Sequence, residues 1–153
     1  MKLGQNCLLG FGAVLAIRFC ACHSSSREQT APAKDFTIIF GRGGGFTGMA
    51  EGYIIHGDGK IEKWSGFYFR RDKLETVGTA KPEALLPLRQ MFEARAFKQP
   101  YQQTGNMTTR VWCISGGDTT VVSWPGLEPG KDVPPALQDF YGKLMSAVQS
   151  ASK

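Results

Sequence analysis

The sequence predicts one small α+β domain, an antiparallel sheet of five to six strands with two helices packed on one face. Two patterns lead to this fold class. Short runs rich in β-branched and aromatic residues are separated by turn signals, and two later segments repeat apolar residues at helical spacing. Short connections make neighbouring strands antiparallel, so the expected order is β-β-β(-β)-α-β-β-α. The domain is predicted to cover residues 35–150, the length of a single domain.

Four β-rich runs occupy the first half of the domain. They are residues 36–40, 53–56, 61–69 and 74–77. The glycine-rich segment 41–48 (GRGGGFTG) is expected to end the first strand, and Asp58-Gly59 marks a tight turn after the second. A basic turn at 70–73 is expected before the fourth run.

The second half carries two helix signals on either side of a hairpin. Leu85, Leu88 and Phe92 repeat at helical spacing after Pro82, while Pro87 is expected either to delay the start of this helix or to kink it. The hairpin strands are 108–115 and 119–124, and they flank a Gly-Gly-Asp turn. After Pro134-Pro135, an apolar stripe that includes Phe140 and Leu144 predicts the last helix. We expect the aromatic third strand and the hairpin tryptophans, Trp112 and Trp124, to fill one core beneath both helices.

Residues 1–21 have the composition of an export signal. Lys2 precedes an uncharged apolar run, Cys7 to Ile17, which is far shorter than the roughly 20 residues that span a bilayer. Phe19-Cys20-Ala21-Cys22 follows, and after it comes a polar stretch. This segment resembles the lipobox of bacterial lipoproteins, although Arg18 and Cys20 depart from the usual pattern. The resemblance implies cleavage before Cys22 and acylation of its thiol and of the new amino terminus.

The resemblance also implies a location in the cell envelope. Two acyl chains on Cys22 would hold the protein stably on a membrane, whereas one chain holds a protein only marginally. Residues 22–34 lack large apolar side chains and are expected to form a flexible tether. In a host with two membranes, His23 gives no retention signal of the aspartate kind, which implies the outer membrane, facing the periplasm. Cleavage without acylation and an uncleaved anchor remain open alternatives.

The charge distribution and the cysteines indicate which partners and which cysteine chemistry to expect. The net charge of the chain is +5, and it would fall to +3 without residues 1–21. The basic residues are scattered except at Arg70-Arg71, so nucleic acid is not an expected partner. In the lipidated form Cys113 would be the one unmodified cysteine, and its apolar neighbours predict a buried thiol. No cofactor motif and no closely spaced set of metal ligands occurs in the sequence.

The glycine-rich segment is the candidate ligand-binding loop. It satisfies the G-x-G-x-x-G pattern, but a dinucleotide-binding loop needs a helix directly after it, and here a strand pattern follows. Consecutive glycines can instead expose backbone N–H groups that form an anion-binding concavity. The candidate residues are Arg42, Gly43, Gly44, Gly45 and Phe46.

Three hypotheses about function follow. The leading one is a non-catalytic, membrane-tethered lipoprotein whose domain binds an envelope protein, peptidoglycan or another envelope ligand. The alternative is a small envelope hydrolase that uses His56 with Asp58 or Glu51, which requires these side chains to converge in one cleft. A third hypothesis is inhibition of a periplasmic enzyme by the glycine-rich segment.

Overall fold

A computed structural model describes residues 36–94 and 101–151, and these form a six-stranded antiparallel sheet with two helices. The strands are β1 (Thr37–Gly44), β2 (Met49–His56), β3 (Lys60–Phe67), β4 (Lys73–Thr79), β5 (Met107–Ser115) and β6 (Asp118–Pro125). The helices are α1 (Pro82–Glu93), between β4 and β5, and α2 (Pro135–Gln149), after β6. The order across the sheet is β4-β3-β2-β1-β5-β6. The predicted fold class and order of elements are therefore confirmed. The predicted signal peptide and tether, residues 1–34, lie outside the described residues.

The helices cover one face of the sheet and enclose the main core. Side chains alternate between faces along each strand, so Ile38 and Phe40 of β1 point to the same side as Val111 and Cys113 of β5. Trp124, Phe140 and Leu144 are fully buried there, and Phe92 packs against them, as the sequence predicted. The predicted burial of Cys113 is also confirmed.

The opposite face carries a second, smaller core that the sequence did not predict. Its buried members are Ile39, Ala50, Ile54 and Trp64. Trp112, Ile114 and Phe69 pack against them. The expectation that Trp64 and Trp112 lie beneath the helices is therefore wrong. Both side chains point to the face opposite to the helices. Trp112 is the register partner of Ile39, and Trp64 is the register partner of Gly52.

A glycine in the middle of β1, Gly41, creates the space for Trp64. Its indole lies across β1, and Nε1 donates a hydrogen bond to the Phe40 carbonyl oxygen at 3.2 Å. A Cβ atom at Gly41 would overlap the Trp64 ring and lie 2.6 Å from the Glu51 carbonyl oxygen. A Cβ atom at Gly52, the register partner of Gly41, would lie even closer to backbone, 1.9 Å from the Phe40 carbonyl oxygen. The predicted break at residue 41 is therefore wrong, because β1 continues to Gly44 and only 45–48 connect it to β2.

Two further details differ from the sequence patterns. The third strand was expected to reach Phe69, but β3 ends at Phe67, and Tyr68 and Phe69 lie in a turn with positive φ. Pro87 lies inside α1, which begins at Pro82 rather than near Leu85.

Candidate functional site

One end of the sheet gathers the exposed apolar side chains of the described residues. In an antiparallel sheet the last residue of one strand lies beside the first residue of the next, so Gly44, Met49, Phe67 and Met107 all belong to this end. All seven large apolar residues exposed within 36–94 and 101–151 are found on or next to it. They are Phe46, Met49, Phe67, Tyr68, Leu74, Met107 and Leu127. We call the group formed by Phe46, Met49, Phe67 and Met107 the apolar end.

The apolar end is separated from the main core by a charged row. On the helix-bearing face, Arg42 of β1 pairs in register with Glu51 of β2, and their side chains form a salt bridge at 3.0 Å. Lys63 approaches the same carboxylate at 3.8 Å. The next row inward contains Phe40 and Tyr53, whose rings stack with centroids 5.5 Å apart. The apolar end is therefore a separate surface rather than an exposed margin of the core.

Phe46 is the most prominent residue of this surface. It lies in the connection between β1 and β2 and is fully exposed. Gly44, Gly45 and Gly48 have φ values of 125°, 67° and 64°, conformations that favour glycine over residues with a Cβ atom. The glycine content of the segment is thus explained at these three positions by backbone geometry.

The connection that carries Phe46 is held by backbone hydrogen bonds on both sides. The Gly45 N–H donates to the Asn106 carbonyl oxygen at 2.6 Å, just before β5. On the other side, the Tyr68 N–H donates to the Gly48 carbonyl oxygen at 2.9 Å. Within the connection, the Gly48 N–H donates to the Gly45 carbonyl oxygen at 3.3 Å. These bonds hold the backbone in place, while the Phe46 side chain itself has no support from its neighbours.

Four of the five residues of the predicted ligand-binding loop line a common groove in the structure, and one does not. Arg42, Gly44, Gly45 and Phe46 line a shallow groove of about 390 Å³, together with Met49 and Met107. Gly43 is buried against Ala50 and takes no part in the groove. The N–H groups of Gly45 and Gly48 are used by carbonyl oxygens of the chain itself. These two N–H groups are therefore not available to an anion, and the Arg42 guanidinium at the groove is paired with Glu51, which also lines it.

Tyr68 and Phe69 form an unusual turn beside the apolar end. Both have positive φ, 49° and 62°, and the Arg70 N–H donates to the Phe67 carbonyl oxygen at 2.9 Å. Phe69 folds back onto the second face, where its ring centroid lies 6.3 Å from that of Trp64 and 5.8 Å from that of Trp112. The Arg110 guanidinium stacks over Phe69 at 5.0 Å. Tyr68 points the other way and is largely exposed beside Gly48.

The three residues of the hydrolase hypothesis do not converge in one cleft, because Glu51 and His56 lie on opposite faces of the sheet. Glu51 lies on the helix-bearing face and is engaged by Arg42. His56 lies on the opposite face, five residues further along β2, where its Nε2 is 2.8 Å from Glu62 Oε2. Asp58 accepts a hydrogen bond from the Lys60 N–H at 3.0 Å within the turn.

Burial of the Cys113 thiol makes this side chain a poor nucleophile. It raises the pKa of Cys113 from 9.0 to about 12, so the sulfur stays protonated at neutral pH. Within residues 36–94 and 101–151, no group of three or more His, Cys, Asp and Glu side chains is arranged to hold a metal ion.

Comparison of the chain with models of known protein families and with the sequences of curated proteins found no match. Neither helix of the described ranges is long and apolar enough to cross a bilayer.

Proposed function

We propose that this chain is a non-catalytic, membrane-tethered envelope lipoprotein whose domain binds a partner protein through the apolar end. The observation that carries this proposal is Phe46, a fully exposed aromatic side chain on a connection that is braced by β5 and by the β3–β4 turn. Aromatic side chains are enriched among the residues that dominate binding energy at protein interfaces. A braced backbone also reduces the entropy that is lost on binding.

The arrangement of the apolar residues supports a protein partner. Exposed apolar side chains on a soluble domain are usually scattered, and a contiguous apolar patch marks a site of interaction. Here they concentrate at one end, and the Arg42–Glu51 row separates them from the core. Such a patch with a charged border has the usual anatomy of a protein interface, an apolar centre and a polar rim.

The position of the proposed tether supports a partner away from the membrane. The tether would join the domain ahead of Phe36, at the start of β1, whereas Phe46 follows the end of β1. Eight residues of strand separate these two ends by about 23 Å, at roughly 3.3 Å per residue. With Cys22 acylated, the apolar end would therefore lie at the end of β1 opposite to the point where the tether joins the domain.

A second candidate function is inhibition of a periplasmic enzyme. The specific observation in its favour is that Phe46 projects from a narrow, four-residue connection, 45–48, rather than from a flat surface. A projecting side chain on a braced backbone fits a concave site, and the substrate clefts of enzymes are concave. In this case the partner protein would be an enzyme, and binding would reduce its activity.

The test of the proposed function begins with the capture of the partner. A photoreactive phenylalanine analogue at position 46 in the native host should cross-link one envelope protein, which is then identified and produced. Calorimetric titration of that protein with the full chain should show binding that Phe46→Ala weakens by about 30-fold or more, equivalent to the roughly 2 kcal/mol of an interface hot spot. If the partner is an enzyme, the same titration followed by its activity tests the inhibitory function.

A matched control comes from the opposite end of the sheet. Thr119 is exposed at the start of β6, and Thr119→Ala should leave the affinity unchanged. Equal binding of the wild type and Phe46→Ala would show that the apolar end is not the interface.

A further inference from the structure

The turn that contains Tyr68 and Phe69 breaks a strong local preference. Two consecutive positive-φ residues favour Asn-Gly or Gly-Gly, because a left-handed backbone brings the Cβ atom of other residues too close to the carbonyl oxygen. Here both positions are occupied by aromatic residues, with φ of 49° and 62°. Strain of this kind persists where the side chains serve a purpose that the backbone preference opposes.

Packing within the domain explains an aromatic side chain at only one of these two positions. Phe69 packs against Trp64 and Trp112 and is covered by Arg110, so its side chain stabilises the second core. Tyr68 has about 80% of its surface exposed, and its ring lies beside Gly48. Folding therefore gains little from the Tyr68 side chain, although a left-handed backbone at this position would be easier with Asn or Gly.

Three cationic residues follow Tyr68 closely in the sequence. Arg70, Arg71 and Lys73 are exposed, and they make no ion pair with any residue in 36–94 or 101–151. The nearest carboxylate in sequence, that of Asp72, accepts a hydrogen bond from the Phe67 N–H at 3.3 Å. The turn thus joins an exposed aromatic ring to three exposed positive charges that have no ion-pair partner among the described residues, beside the surface that carries Phe46.

We infer that the β3–β4 turn is a second docking element, in which Tyr68 inserts beside Phe46 and the three cations meet carboxylates on an acidic partner protein. This inference rests on the proposed function and specifies the chemistry of the partner. Tyrosine combines a large apolar ring with a hydroxyl group and is enriched at interfaces. Unpaired cations around such a ring accelerate association with an acidic surface and select against basic ones. An anionic bilayer would offer similar charge, but the proposed tether would join the domain at the other end of β1, away from this turn.

The experiment uses the full chain and, as the probe, the protein captured by cross-linking from position 46. Tyr68→Asn and Tyr68→Gly remove the ring and suit the left-handed backbone. Both variants should keep or raise the thermal midpoint, while the affinity falls by about tenfold or more. Arg70→Glu with Arg71→Glu should slow association and reduce its dependence on ionic strength. Lys81→Glu, a charge reversal after β4 at the other end of the sheet, is the matched control and should leave the association rate unchanged.

The outcomes separate this inference from the proposed function. If Phe46→Ala abolishes binding while the Tyr68 variants and the Arg70/Arg71 double variant bind like the wild type, the second docking element is wrong and the proposed function stands. If Phe46→Ala binds normally, or if no protein is captured, both are wrong. Vesicles of phosphatidylglycerol provide the membrane arm of the test. Association with them that is lost on Tyr68→Asn would replace the acidic protein with a bilayer and overturn the inference.

Discussion

The substitution Gly41→Ala tests the packing of the second core most sharply. Gly41 lies in the middle of β1, where the Trp64 indole passes over it. An added methyl group would overlap the ring and would also lie 2.6 Å from the Glu51 carbonyl oxygen. Because the second contact is with backbone in a paired strand, the methyl group cannot be accommodated by a rotation of one side chain.

The expected cost has two parts. Overpacking of a filled core typically costs 1–3 kcal/mol. Displacement of Trp64 would also break the hydrogen bond from its Nε1 to the Phe40 carbonyl oxygen, for about 1 kcal/mol more. We therefore expect Gly41→Ala to lower the free energy of unfolding by about 2–4 kcal/mol and the midpoint of thermal unfolding by about 10 °C.

Urea denaturation followed by circular dichroism and tryptophan fluorescence measures this cost. Gly142→Ala is the control, because Gly142 lies within α2 with open space around its Cα, and alanine there should stabilise the helix by about 0.5–1 kcal/mol. Unfolding of Gly41→Ala at the same urea concentration as the wild type would show that Trp64 does not lie across β1.

Four further predictions concern stability and the anchor. Phe140→Ala should lower the free energy of unfolding by about 3–5 kcal/mol in the same assay, since Phe140 is almost completely buried in the main core. Cys113 should resist alkylation until the protein unfolds, and its contribution to stability should fall as the pH rises from about 9 to about 12, because the unfolded thiol ionises first. The hydrogen bonds from Lys60 and His56 lower the pKa of Glu62, so this carboxylate should stabilise the fold above pH 4.5 and lose that contribution as the pH falls further. Glu62→Gln should therefore flatten the acid side of a stability–pH profile. If Cys22 is acylated, the chain should incorporate labelled palmitate, and Cys22→Ser should abolish both the label and membrane retention.

The sequence predicted the elements because their signals are local. Alternation along residues 36–40 and the helical repeat around Phe140 and Leu144 do not depend on the rest of the chain, and both elements occur where expected. Burial of Cys113 could also be predicted, since an apolar run in a strand is usually buried on at least one face.

The second core could not be predicted for a specific reason. The run Val111-Trp112-Cys113-Ile114 is apolar at every position, so it lacks the period of two that assigns side chains to faces. The role of Gly41 is also invisible in the sequence, because its contact is with Trp64, a residue of another strand. The pattern predicts the end of a strand at Gly41, whereas this glycine lies within β1 and allows the Trp64 indole to lie across the strand.

The apolar end was predicted only in part. Arg42, Gly44, Gly45 and Phe46 were singled out by their glycine-rich context, and all four line its groove. Phe67 and Tyr68 were assigned to a buried strand, because aromatic residues favour strands and disfavour positive φ. The turn at Tyr68 and Phe69 has positive φ against this preference, and it depends on tertiary contacts such as those of Phe69 with Trp64 and Trp112.

The affinity of the captured envelope protein for the wild-type chain and for Phe46→Ala, measured side by side by calorimetry, tests the central claim most directly. We expect a loss of about 30-fold or more for Phe46→Ala with an unchanged thermal midpoint, since the Phe46 side chain is fully exposed and supports no part of the fold. Equal affinities of the two proteins would contradict it.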